Sequence, residues 1–274
     1  MIHFLFIFIN FIYCSQAATN GICGASETDC SWSFENEILS IEGTGKMTNF
    51  ADMNSAPWNE HAEKIQSVSI GSITSIGDFA FSFLSQITQI TIPSTIATIG
   101  INPFIGCSKL KTIDVQTSKY TFTWDILMTA DKTLMITYPE TKRAVTEVLS
   151  TSIKIIGKYA FYGHPTMERL TFQSVHTNIG DYALANCKKL KRLFHYATSP
   201  TIGKNVLLGC DNLEGIYVPV TYNGVFDGFT VRKATKSPYS NRFYYLDSTG
   251  YLIYYGIGEM DSYRTSGLTP FRNL

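Results

Sequence analysis

Ile76-Gly77-Asp78-Phe79-Ala80-Phe81, followed by Ile87-Thr88-Gln89-Ile90-Thr91-Ile92-Pro93, decides the fold, because its pattern returns at a fixed interval. Ile-Gly recurs at Ile99-Gly100, Ile156-Gly157, Ile179-Gly180 and Ile202-Gly203; three of the four glycine spacings are 23 residues and the fourth is 57. Such a period predicts a repeat solenoid, in which one repeat buries its apolar face only by stacking on its neighbours.

Working outward, matching strands are expected to start at Ile65, Ile87, Leu110, Met167, Leu190 and Leu213, each reading apolar-x-x-apolar-x-apolar, with His195 in the last slot of the fifth. Residues two apart on a strand share a face. Val68/Ile70, Ile90/Ile92, Ile113/Val115, Leu170/Phe172, Leu193 and Ile216/Val218 should therefore point inward. Between strands, Ile-Gly-x-x-Ala-Phe supplies a short helical or 3₁₀ turn that sends Ala80, Phe81, Phe104, Ala160, Phe161, Ala183 and Leu184 into the same core. Gly106, Gly163, Asn186 and Gly209 then turn the chain into the next strand.

Six cysteines are present. Cys107, Cys187 and Cys210 share one repeat position, three residues before the Leu that opens a strand, and read as buried thiols acting as small hydrophobes. Cys23 and Cys30 lie together in a Gly/Ser/Thr-rich stretch, and we pair them as a disulfide. No second Cys/His pair with zinc spacing lies near them.

Phe4 to Tyr13 is apolar apart from Asn10, too short to cross a bilayer as a helix, and is followed by Ser15-Gln16-Ala17. Residues 1–17 are read as a secretory signal, and the mature chain as secreted or displayed at the cell surface. With 22 basic and 22 acidic residues there is no bulk attraction to nucleic acid. The cluster Lys188-Lys189-Leu190-Lys191-Arg192 reads as a solvated edge. Residues 18–64 form a cap over the first repeat, a small strand unit through Ile38-Leu39-Ser40-Ile41 that breaks at Gly43-Thr44-Gly45. Gly43-Thr44-Gly45-Lys46 is no phosphate loop, since it lacks the upstream Gly and has Met47 where Ser or Thr would hold magnesium.

The pattern Ile-Gly-x-x-Ala-Phe-x-Gly-Cys-x-x-Leu-x-x-Ile-x-Ile-Pro resembles the BspA-like leucine-rich repeat family of exported surface antigens across residues 65–219. Cys23-Gly24, Trp32, Gly43 to Met47 and Pro57-Trp58 resemble the unit that precedes such repeats. The resemblance implies a right-handed leucine-rich-repeat horseshoe of 23-residue strand-turn-short-helix repeats. It also implies a surface or secreted location and adhesion to host or neighbouring-cell proteins such as matrix components. Departures are His164-Pro165 at the cysteine slot, Leu184 for Phe, Val206-Leu207 for Ala-Phe, and the long interval before Gly157.

That interval exceeds one repeat by 34 residues. Alternation through Tyr120 to Trp124, Ile126 to Met128 and Thr133 to Tyr138 predicts a hairpin insertion over about 116–144, serving as a binding arm or as a tolerated loop. After Pro219 the cadence stops. Leu252, Gly256, Gly258, Met260, Tyr263, Pro270 and Phe271 each lie 213 residues beyond Leu39, Gly43, Gly45, Met47, Phe50, Pro57 and Trp58, so residues 220–274 read as a partial copy of the head acting as a C-terminal cap.

Residues alternating with the core positions should face an open surface. One row is Ser67, Gln89, Thr112, Arg169, Arg192, Gly215 and the next is Ser69, Thr91, Asp114, Thr171, Phe194, Tyr217. Arg169, Arg192, Phe194, Tyr196 and Tyr217 gather in the later repeats and form the candidate protein-binding patch, being of the types that anchor interfaces. The alternative for these residues is cross-strand packing that only stabilises the sheet. No hydrolase, zinc, redox or nucleotide motif occurs, and no catalytic residue, cofactor or small-molecule substrate is assigned. His195 reads as a core histidine. Two functions follow: an adhesin-like, non-enzymatic surface protein that binds matrix or cell-surface proteins, or a structural coat or spacer that self-associates through strand edges and the Tyr-rich tail.

Overall fold

The computed structural model describes residues 18–236 and the strands Phe243–Leu246 and Leu252–Tyr255. The expected signal segment, 1–17, and the tail echo from Gly256 to Phe271 lie outside the described residues. The chain divides into two units, one up to Thr117 and one from Ser118.

The first unit opens with an antiparallel ribbon, β1 (Asn20–Ile22), β2 (Ser31–Glu35) and β3 (Ile38–Glu42), whose last strand pairs in parallel with the first repeat strand, β4 (Ser67–Ile70), Leu39 opposite Val68 and Ile41 opposite Ile70. Pairing onto β4 gives that strand's outer edge a hydrogen-bonding partner, which is what a solenoid's first coil needs. The Cys23–Cys30 disulfide ties the ribbon's entry, and Trp58, fully buried, donates its indole N–H to the Ala80 carbonyl at 2.9 Å. Trp58 also meets Trp32 edge-on at 5.8 Å and stacks at 6.2 Å on Phe81, which stacks at 5.8 Å on Phe104. The loop Gly43-Thr44-Gly45 has its amides occupied: Thr44 donates to Thr28 and Gly45 to Asp29.

Two strand files follow in this unit. The long strands β6 (Gln89–Ile92) and β8 (Thr112–Val115) pair in parallel at a shift of 23, Ile90 opposite Ile113, while the short strands β5 (Ser75–Ile76) and β7 (Thr98–Ile99) do the same. Each repeat strand begins two residues after the expected start. Ile90, Ile92 and Ile113 are buried; Val68, Ile70 and Val115 are half-buried. The repeated glycine is imposed by close approach, since a Cβ on Gly77 would lie 1.9 Å from the Thr48 carbonyl oxygen.

The connecting segments are hydrogen-bonded turns and not helices; among the described residues the one helical stretch is a 3₁₀ turn at Asn59–His61, ahead of the repeats. Backbone direction is instead reversed by left-handed residues four apart: Phe79 and Phe83, Tyr159 and Gly163, Tyr182 and Asn186, Asn205 and Gly209. Two left-handed residues in five prevent the consecutive right-handed dihedrals that a helix requires.

The second unit corrects the expected insertion. β9 (Tyr120–Thr123) and β10 (Ile126–Thr129) form a hairpin, but β11 (Leu134–Thr137) is a coil strand as well as the hairpin's neighbour. It pairs in parallel with the short strand β13 (Ile155–Ile156), which pairs with β15 (Asn178–Ile179). The long strand β12 (Thr146–Leu149) likewise precedes β14 (Arg169–Phe172), with Glu147 opposite Leu170. Residues 134–149 thus complete a coil with no Ile-Gly signature, and the true insertion is the β9–β10 hairpin.

Beyond it, β14 pairs with β16 (Arg192–His195) and β16 with β17 (Gly215–Pro219), aligning Leu170, Leu193 and Ile216 in one buried row. β18 (Val231–Lys236) adds in parallel to β17, and β19 (Phe243–Leu246) and β20 (Leu252–Tyr255) continue antiparallel. The tail therefore prolongs the repeat sheet by three strands.

Candidate binding surface

Parallel pairing with a 23-residue shift places equivalent side chains beside each other on adjacent strands, so Thr146, Arg169, Arg192 and Gly215 form one row across β12, β14, β16 and β17. Arg169 is exposed and Arg192 half-buried, its Nε donating to Glu214 Oε2 at 3.0 Å. Lys191 meets Glu168 at 2.8 Å and Lys188 meets Asp211 at 2.8 Å. Three of the four cations in the Lys188–Arg192 cluster are thus each paired with an acid one coil away, which lowers the field a polyanion would meet.

The next row departs from expectation. Ser69, Thr91 and Asp114 are exposed, but Thr171, Phe194 and Tyr217 are buried, the last two at 2% exposure each. Phe194 and Tyr217 stack with centroids 4.8 Å apart and planes 20° from parallel. Arg232, on β18, lies over the Tyr217 ring at 5.6 Å, donates to its hydroxyl at 3.3 Å and reaches the Glu214 carbonyl at 2.9 Å. Gly215 accommodates this arginine: a Cβ there would sit 3.1 Å from Arg232 Nε. Phe194 and Tyr217 are therefore a packed layer and no open surface, and Arg232, from outside the repeats, is the residue that covers Tyr217. Tyr196 is half-buried, which pushes its phenol up to about 12.

A second aromatic group was not anticipated. Tyr159 and Tyr182, both left-handed at φ 58 and 55, stack across adjacent coils at 5.0 Å and 9°, with Tyr162 beside them at 5.6 Å. Asn186 donates to the Tyr162 hydroxyl at 2.7 Å and Asn205 to that of Tyr182 at 2.8 Å. The signal was available, since each of Tyr159 and Tyr182 stands two residues after the repeat glycine.

The chemically reactive side chains are engaged in structure. His195 is fully buried; its Nε2 faces the Thr177 carbonyl at 3.0 Å and its Nδ1 the Ala197 amide at 3.2 Å. A carbonyl only accepts and an amide N–H only donates, so the ring is neutral with its proton on Nε2. Burial pushes its pKa down to about 4. His164, in the cysteine slot, does the same between the Lys142 carbonyl and the Met167 amide, and burial lowers its pKa too. The free thiols of Cys107, Cys187 and Cys210 are buried and donate to the Phe81, Phe161 and Leu184 carbonyls at 3.0, 3.0 and 3.1 Å.

Parallel strand files at a 23-residue shift, closed by left-handed turns, define a β-solenoid repeat protein. The family model for the BspA type leucine-rich repeat region matches residues 59–147 and 137–229 with 6 copies, and the chain belongs to that family. Solved structures similar to it include three bacterial proteins. A leucine-rich repeat protein from Eubacterium ventriosum is 18% identical, over 80% of this chain and 85% of that one, with a TM-score of 0.35. A leucine rich cell surface protein from Faecalibacterium prausnitzii is 20% identical over 73% and 57%, with a TM-score of 0.44. The pneumococcal vaccine antigen PcpA is 13% identical over 76% and 87%, with a TM-score of 0.44. No curated protein matches the chain.

Proposed function

We propose that this is a non-enzymatic, exported surface protein that binds matrix or cell-surface proteins of a host or neighbouring cell through the arginine row of its second unit. The carrying observation is that Arg169 and Arg192 stand in register on adjacent strands, two residues along the strand from the row of the buried Phe194–Tyr217 stack. Arginine beside a dry aromatic layer is the composition of an interface centre, where desolvated guanidinium groups find bidentate acceptors on a partner. Export is supported by the apolar run at Phe4 to Tyr13 and by the Cys23–Cys30 disulfide, a bond that persists in oxidising compartments. Family membership supports display at a surface.

The test is a pull-down from matrix and cell-surface extracts with residues 18–274 as bait, wild type against Arg169→Glu/Arg192→Glu. Both changes lie outside the core, and the exposed Arg192–Glu214 pair they break is worth at most about 1 kcal/mol, so melting should fall only slightly while capture is lost; capture retained by the double variant defeats the reading. Tyr217 is unsuited to this test because its removal opens a cavity. The coat or spacer reading draws on β20, which ends its sheet among the described residues. A mature chain that stays monomeric at high concentration in sedimentation would refute it.

A further inference from the structure

The β9–β10 hairpin turns on Trp124 and Asp125, both left-handed at φ 56 and 58, and this lifts the Trp124 indole outward to 51% exposure. The chain's other two tryptophans, Trp32 and Trp58, are buried. Beside the indole lies a cavity of about 330 Å³ between the hairpin and β12, with Ile126 and Val148 as apolar wall and Lys142, Glu147 and Ser150 as polar lining.

These polar groups are fixed in place. Lys142 Nζ donates to the Trp124 carbonyl at 2.7 Å and stands 3.4 Å from Glu147 Oε2. The Tyr138 hydroxyl donates to the same carboxylate, and Lys142 also lies 5.0 Å over the Tyr138 ring. Lys132 sits over the indole at 5.0 Å and holds it from one side.

We propose that this cleft is a subsite for a neutral pyranose saccharide, independent of the arginine row. A pyranose has an apolar C–H face, which an exposed indole covers, and a rim of hydroxyls that need both donors and acceptors. Glu147 supplies acceptors, Lys142 donors and Ser150 either. The cleft is open to solvent on one side, with apolar walls and a few convergent polar groups, as suits a ligand that keeps part of its hydroxyl rim in water. Charges of both signs meet at the cleft, Lys132 over the indole and Lys142 beside Glu147, so an anionic ligand meets the Glu147 carboxylate and a cationic one the two ammonium groups.

Trp124 is the exposed indole among the three, so tryptophan fluorescence of residues 18–274 reports on this site. Maltotriose, mannotriose, chitotriose and lactose are titrated to about 10 mM, a range that detects weak binding. At least one should give a saturable blue shift and protect against acrylamide quenching. Calorimetry with that sugar should show binding abolished in Trp124→Ala at an unchanged melting temperature, and weakened at least about tenfold in Glu147→Gln at a temperature where that variant, which loses the Lys142 ion pair, is still folded. Arg169→Glu/Arg192→Glu should bind it as the wild type does. The proposal is overturned if none of the four sugars shifts the emission, if Trp124→Ala binds undiminished, or if inorganic phosphate displaces the sugar.

Discussion

The thiol of Cys187 donates to the carbonyl of Phe161 at 3.0 Å, 26 residues earlier and one coil down, and Cys210 repeats this contact with Leu184. The cysteine slot is thus a buried hydrogen-bond donor between coils, which explains why histidine can replace cysteine at position 164. Burial raises both thiols, Cys210 to about 11. In the native protein Cys107, Cys187 and Cys210 should resist iodoacetamide at pH 8 and react on denaturation, read by mass spectrometry. Cys187→Ala should cost about 1 to 2 kcal/mol by denaturant unfolding, from lost buried volume and the lost thiol hydrogen bond, the Phe161 carbonyl keeping the His164 amide as donor.

His164 and His195, both buried in the second unit, set an acid limit. Their folded pKa values lie below the unfolded value of about 6.5, so their stabilising contribution is complete above pH 6.5 and declines as pH falls toward the folded value, about 4 for His195. At pH 5 His195 alone should have lost about 2 kcal/mol. Melting curves between pH 7.5 and 4.5 check this; His195→Gln should melt lower at pH 7.5 yet show a shallower decline.

Trp58 joins the head to the first coil. Trp58→Ala removes a fully buried side chain with its Ala80 hydrogen bond and should cost about 3 to 5 kcal/mol, whereas Trp58→Phe should cost about 1 to 3. Urea unfolding of the two variants separates packing from the hydrogen bond.

The head also depends on its disulfide, which spans 7 residues of sequence. Closing so short a loop restricts the unfolded chain by about 2 to 3 kcal/mol. Reduction, or Cys23→Ala/Cys30→Ala, should lower the unfolding free energy measured in urea by that amount and raise amide exchange first in β1 and β2.

The 23-residue period was legible because it is a packing constraint on backbone. A Cβ on Gly157 would lie 2.5 Å from the Met135 carbonyl oxygen, so glycine must return wherever one coil presses on another. The coil at 134–149 escaped for the same reason. Its residue in the glycine slot is Ile136, and the other neighbour of β11 is the antiparallel hairpin strand β10, which brings no coil backbone against it. Alternation told which face Phe194 and Tyr217 point to, but not that both are buried there. Arg232 lies over Tyr217 from 15 residues further along the chain, and nothing periodic announces it. The saccharide cleft was equally hidden, since Trp124, Lys142 and Glu147 come together only when the hairpin folds beside β12.

Lys158 meets Asp181, Glu168 meets Lys191 and Lys188 meets Asp211, each exactly one period apart. Because each bridge joins equivalent positions that carry opposite charges, duplicating one copy would set lysine against lysine or acid against acid at the new seam, a repulsive contact. The order of the copies, and not their number alone, is therefore written in the charges along this edge.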